Sequence, residues 1–232
     1  MQTIKVGNFT IDVMHKDIKN VHLSVYPPTG RITISAPFHI NTELLRVYAI
    51  SRIGWIKQQQ KKLLSQAREP VKEFVNRETH YFRGKRYLLK LENNQPSNTV
   101  ELKHNKLIVK TKLLVSEEKT AKLIDTFYRV ELHKTIPKLI TKWSEILNVN
   151  ITAYGIKKMR TKWGTCNTLA KRIWVNVELA KKPIHCLEYI IVHELVHLLE
   201  RKHNYKFEAH LNKHLPNWKQ IKQELNELPV GV

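Results

Sequence analysis

The most constraining feature of this chain is the run His193-Glu194-Leu195-Val196-His197, followed by His203. Two imidazoles four residues apart on a helix project to one side, with Cβ atoms about 5–6 Å apart. Both can then reach one ion at Zn–N distances of about 2.0–2.1 Å. Glu194 directly follows the first imidazole, where it can take a proton from water on the metal instead of binding the metal itself. With 12 histidines in 232 residues such a pentad can arise by chance, but its surroundings argue for a site. Leu187, Ile190, Ile191, Leu195 and Leu198 fall at helical spacing, and Pro183 suits a first turn. The pentad is therefore expected on a strongly apolar, buried helix over residues 184–201. Buried histidines need partners, and one shared metal serves both.

A third ligand must come from downstream. On an unbroken helix His203 would lie about 600° round and about 9 Å along from His197, beyond reach of the metal. The chain must therefore turn at Glu200-Arg201-Lys202, and Asn204 tolerates a left-handed helix cap. His203 is predicted as the third ligand, with Glu208 in reserve and His210 and His214 as further candidates. His185 is too far up the helix and reads as surface or as support behind the ligands.

Lys and Arg number 40 against 20 Asp and Glu, a formal net charge of +20. That excess favours polyanions such as DNA, RNA, anionic lipid or nucleotide phosphates. It is scattered, without a block of like charge or a nucleic-acid-binding signature. Apolar runs fall well short of the roughly 18 residues of a membrane span, so no membrane partner is expected. The first residues lack a basic-then-apolar leader pattern, which predicts a cytoplasmic protein. Of the two cysteines, Cys186 reads as a small core residue, and no disulfide is expected in a reducing compartment.

Periodicity predicts an α+β fold with a β-rich N-terminal half. Strand-like alternation covers residues 1–37, with a hairpin through Pro27-Pro28-Thr29-Gly30, and a helix follows from Asn41 to about Ala67. Strand patterns return over 80–111, interrupted by the polar stretch 93–98. A helix then runs from Ser116 to about Leu147 with a kink at Pro137. Strand patterns resume over 150–179, and after the histidine-bearing helix a last helix reaches about Leu228. No internal repeat is visible. The polar stretch 93–98 is taken as the division between residues 1–97, β-rich with one long helix, and a catalytic region, 98–232; it lies between strands, so an integrated two-lobed protein fits equally well.

Ile173, Val175, Val177 and Leu179 alternate with Arg172, Trp174, Asn176 and Glu178, which predicts a half-exposed strand. As a sheet edge it could pair with an extended peptide substrate, though an ordinary sheet strand fits the pattern equally well. Before it lies Arg160-Thr161-Lys162-Trp163-Gly164-Thr165-Cys166. This segment resembles the R-T-R-W-G-S-C motif of the YgjP-like zinc metallopeptidase family. Tyr189 to His197 resembles that family's Tyr-x-x-x-H-E-L-x-H helix, and His203 to Phe207 its His-x-x-x-Phe. The likeness extends over nearly the whole chain, including Phe82-Arg83-Gly84-Lys85-Arg86-Tyr87. It implies a gluzincin-like zincin core, a small sheet plus helices, distantly similar to SprT-like proteases that act on DNA-bound proteins. It implies Zn²⁺ held by His193, His197 and His203, with Glu194 as general base. Lys162 and Thr165 replace the family's usual Arg and Ser. Lys202 and Glu208 replace a frequent turn-former and a frequent Trp.

Three functions fit these residues. The leading one is a zinc peptidase acting on peptide or protein, with Tyr154, Tyr205 and Arg160 as unranked oxyanion donors. A metal-dependent hydrolase of nucleoside triphosphates is the second, though no glycine-rich phosphate loop accompanies it. The third is a DNA-associated protein with a structural metal. Cys166 reads as a structural thiol, with a thiolate ligand or redox role as its alternative.

Overall fold

The structure is a computed structural model of the chain, and residues 2–27, 29–65 and 70–229 are described. They form two compact units, one among residues 1–69 and one among 70–231. Residues 93–98, where a division was expected with an integrated two-lobed protein as its equal, join two strands of a single sheet.

In the first unit, β1 (Gln2–Val6), β2 (Phe9–His15), β3 (His22–Tyr26) and β4 (Arg31–Ala36) form a sheet of order β1-β2-β4-β3. Alternation places Ile4, Val6, Ile11, Val13, Ile32 and Ile34 on one buried face. Leu45 and Ala49 of α1 (Thr42–Ser51) and Ile56 of α2 (Ile53–Ser65) join them in one core. Burying each such large side chain is worth about 1.5–3 kcal/mol. The Asn41 side chain caps α1 by accepting from Leu44 N–H at 2.9 Å. The single helix expected from Asn41 is two, separated at Arg52. Its expected end near Ala67, like Pro28 of the hairpin turn, lies outside the described residues.

The second unit opens by repeating this path. β5 (Thr79–Phe82), β6 (Lys85–Glu92), β7 (Thr99–Lys103) and β8 (Lys106–Lys110) have order β5-β6-β8-β7. In both sheets two antiparallel hairpins meet through a central parallel pair, β2 with β4 and β6 with β8. A side-chain-capped helix follows each. The second is α3 (Glu117–Leu147), capped by Ser116 and closed by Asn148 in the left-handed region at φ 50°. A repeat of topology is thus present where none is visible in the residues. α3 continues through Pro137 and buries Thr120, Ile124, Tyr128, Leu132 and Ile136 at four-residue spacing.

Next come β9 (Ala153–Lys157), β10 (Gly164–Asn167) and β11 (Arg172–Asn176), in the order β10-β11-β9. The strand expected over 171–179 stops at Asn176, whose side chain accepts from Glu178 N–H and starts a 3₁₀ turn, Val177–Lys181. Nor is it an edge: β10 pairs with β11 antiparallel and β9 pairs with it parallel.

Three helices complete the unit: α4 (Ile184–Val196), α5 (Tyr205–His214) and α6 (Trp218–Glu227). The last two replace one expected helix, because Pro216 between them has no N–H to continue the ladder. The β5–β6 turn fixes the start of α4. Arg83 and Gly84 N–H donate to the carbonyls of Ala180 and Lys181. A Cβ at Gly84, whose φ is +78°, would lie 2.8 Å from Pro183.

Candidate active site

α4 buries Cys186, Leu187, Tyr189–Val192 and Glu194–Val196, so the helix is held on most of its circumference. It ends earlier than the expected residue 201. Leu198, Leu199 and Glu200 N–H groups return to the carbonyls of Leu195 and Val196, tightening the last turn. Asn204 does not act as a left-handed cap. Its backbone is extended (φ −104°, ψ −173°), and its side chain accepts from Lys206 and Phe207 N–H, starting α5 directly after His203.

This turn brings His193, His197 and His203 together, one ring nitrogen from each lying within 4.8 Å of the others. His193 Nε2 and His203 Nε2 are 3.0 Å apart. His197 Nδ1 meets the Glu200 carbonyl at 3.2 Å; donating there leaves the Nε2 lone pair for an ion. Beneath them lies Phe207, with ring centroids 4.9, 4.8 and 4.7 Å from those of His193, His197 and His203. Phe207 is fully buried, so the imidazoles have an apolar floor. Glu208, His210 and His214 do not join this group among the described residues.

The imidazoles are held in their neutral form, which is the form that binds a metal. Burial, reinforced by repulsion from His197, His203 and Lys222, pushes the His193 imidazolium down to about 3. Burial also lowers His197, against the bond to the Glu200 carbonyl. His193 Nδ1 is buried without a hydrogen-bond partner, so the ring's contact is made through Nε2. Neutral nitrogens converging at such distances suit a borderline-soft divalent ion. The chemistry of the donor set therefore fits the metal that the sequence implies.

Glu194 is 5% exposed. Burial pushes its carboxyl up to about 8, and the charge of Lys162 opposes the shift. The first residue of β10 lies directly on it: a Cβ at Gly164 would be 2.6 Å from Glu194 Oε1 and 2.8 Å from its Cγ. The Cys166 thiol is pushed up to about 11 by burial and then by Glu194. It is a neutral thiol at pH 7 and stands outside the histidine group.

Asn176, 3% exposed, is a buried polar residue beside the site that alternation alone does not single out. Its Nδ2 donates to the carbonyls of Met159 at 2.9 Å and Lys162 at 2.8 Å, and its Oδ1 accepts from Met159 N–H at 3.3 Å. Its own N–H donates to the Trp163 carbonyl. These bonds fix the shape of the segment leading into β10. A polar residue closing an apolar strand was the available signal.

Among the other expected residues, the Tyr154 hydroxyl meets His133 Nδ1 at 3.0 Å, while Tyr205 and Arg160 are exposed. His185 pairs with Glu224 of α6 at 2.6 Å, beside the buried Cys186.

A mixed α+β unit with a histidine-bearing helix, a buried glutamate and an adjacent short sheet defines a metallopeptidase. The chain belongs to the YgjP-like family, whose metallopeptidase domain matches residues 19–228. No curated protein matches it. Among solved structures it is similar to the metallopeptidase zymogen abylysin of Pyrococcus abyssi, at 19% identity and TM-score 0.37, over 39% of this chain and 91% of that one. It is also similar to the zymogen jannalysin of Methanocaldococcus jannaschii, at 25% identity and TM-score 0.35, over 39% and 92%.

Proposed function

We propose that this metallopeptidase is a zinc enzyme in which His193, His197 and His203 hold the ion and Glu194 is the general base. The observation that carries this reading is the convergence of three ring nitrogens, and no fourth donor among the described residues, next to a buried carboxylate. A structural zinc site would take four protein ligands, whereas a catalytic one keeps a position for water. When bound, Zn²⁺ lowers the pKa of a coordinated water toward about 7 and polarises the scissile carbonyl.

The residues of the chain do the rest. With the charge of a bound divalent ion holding its carboxyl ionised against the effect of burial, Glu194 would accept the proton of the attacking water and return it to the leaving amine. The absence of a side chain at Gly164 leaves the carboxylate its place. Phe207 and the Glu200 carbonyl hold the imidazoles in orientation. With β11 in the middle of its sheet, the open edge beside Glu194 belongs to β10. Its alternating N–H and C=O groups suit an extended peptide or protein segment.

Glu194→Gln tests the mechanism. It keeps size and removes the base, so the variant should fold, retain zinc and lose about 10²–10⁴-fold in rate, or roughly 3–5 kcal/mol of transition-state stabilisation. Wild-type turnover by zinc-loaded Glu194→Gln would overturn the assignment.

A further inference from the structure

We propose that the segment joining β9 to β10 is the specificity element of this cleft, and that it selects an extended peptide carrying Asp or Glu close to the scissile bond. This rests on the peptidase reading above and adds the substrate class.

The charge distribution is one-sided. From Ile151 to Val177 the chain contains Lys157, Lys158, Arg160, Lys162, Lys171 and Arg172 and no acidic residue. Two of these cations are engaged locally, Lys157 and Arg172 lying 4.9 and 5.4 Å from the Trp174 ring. Lys158, Arg160 and Lys162 are exposed, and their side chains have no ion pair among the described residues. Asn176 pins the main chain at Met159, Lys162 and Trp163, so these cations project from a fixed loop. With the main chain already fixed, meeting an anion costs only the rotamer freedom of the side chains.

The loop also has the right place. Lys162 stands two positions before Gly164, which lies against Glu194. A substrate strand along β10 advances about 3.3 Å per residue. Arg160 and Lys162 thus lie alongside substrate residues a few positions from the bond being cut. A polynucleotide would meet the same cations, but it lacks the alternating donors and acceptors that pair with a β-edge. An acidic peptide uses both features.

The test uses the full zinc-loaded chain and matched peptides bearing Glu, Gln or Lys at each of three positions on either side of the cleavage point. At one or more positions Glu should exceed Gln by about 3–10-fold in kcat/KM, and Lys by more, with the gap closing as salt is added. In Lys158→Met/Arg160→Met/Lys162→Met the Glu-to-Gln ratio should fall to near 1. Lys138→Met, on the exposed side of α3, should keep it. Equal cleavage of Glu and Gln peptides by the wild type, or a preference surviving the triple change, overturns the proposal. So does charge-blind cleavage combined with duplex DNA binding that the triple change abolishes, which would assign the loop to a polynucleotide. Failure to cleave any peptide would bring down the peptidase reading itself, a result distinguishable from charge-blind cleavage.

Discussion

Gly164 of β10 lies against the carboxyl group of Glu194 on α4, so closely that a β-carbon there would come within 2.6 Å of Oε1. The contact couples the edge strand to the residue proposed as general base. It also explains why a residue with no side chain stands there although its backbone does not require a positive φ.

Gly164→Ala should therefore separate activity from folding. The atoms in the way belong to one side chain, Oε1 and Cγ of buried Glu194, and not to backbone, so the carboxyl must move while the main chain can stay in place. Displacing a catalytic group by about 1 Å costs on the order of 10²-fold in rate. We expect kcat to fall by about that factor, with the melting temperature changed by only a few degrees. An unchanged kcat would show that the carboxylate does not act from this position.

The third ligand can be tested by metal content. His203 lies with the α4 histidines, and exposed Glu208 does not. His203→Ala should lose most of the bound zinc, and Glu208→Ala should keep it. The reverse result would move the ligand to α5. Chelation of the wild type should also lower its melting temperature. A ligand at 1,000 times its Kd stabilises by about 4.1 kcal/mol, and adding zinc back should restore the difference.

The grouping of the candidate site's histidines was largely legible because spacing along one helix is local information. His193, Glu194 and His197 follow from a 3.6-residue period, and the reach of His203 follows from a necessary turn. Hairpins were legible where alternation meets a turn, as at Arg83-Gly84, both of which have positive φ. Strand order was not. β11 is central because β9 comes to lie parallel beside it from about twenty residues upstream, and periodicity carries no such pairing. The repeated sheet path was hidden for a related reason. It preserves only the placement of apolar residues, Ile11, Ile32 and Ile34 in one sheet and Leu89, Leu107 and Val109 in the other. Asn176 looks like one more outward residue of an alternating strand until its partners are known.

Asn176→Ala should be strongly destabilising for its size. The side chain serves Met159, Lys162 and Glu178 main-chain groups. Each net hydrogen bond is worth about 1 kcal/mol, and each buried carbonyl left unpaired costs about 1–3 kcal/mol. A loss of about 2–4 kcal/mol in denaturant unfolding is expected. A loss below 0.5 kcal/mol would mean that the segment before β10 keeps its shape without the clamp.

The pH dependence of stability provides a test away from the active site. His80 on β5 is 4% exposed. Burial lowers its pKa from 6.5, against the opposing hydrogen bond and charge of Glu78, while Lys72 and Lys181 add to the lowering. Its Nε2 stands 3.0 Å from Glu78 Oε2. Glu78 also accepts from the N–H groups of Glu73 and Phe74, at 2.9 and 3.0 Å. The unfolded chain therefore binds this proton at higher pH than the folded chain does. Linkage makes folding least affected above 6.5 and progressively weaker as pH falls from there through the folded value. Each unit of difference corresponds to about 1.4 kcal/mol. His80→Gln retains a donor for Glu78 and removes the titration. The wild type should thus lose more stability than His80→Gln between pH 7.5 and 5, measured in denaturant at matched zinc so that the histidines of the metal site contribute equally. Parallel pH profiles for the two proteins would show that His80 takes its proton equally well in both states.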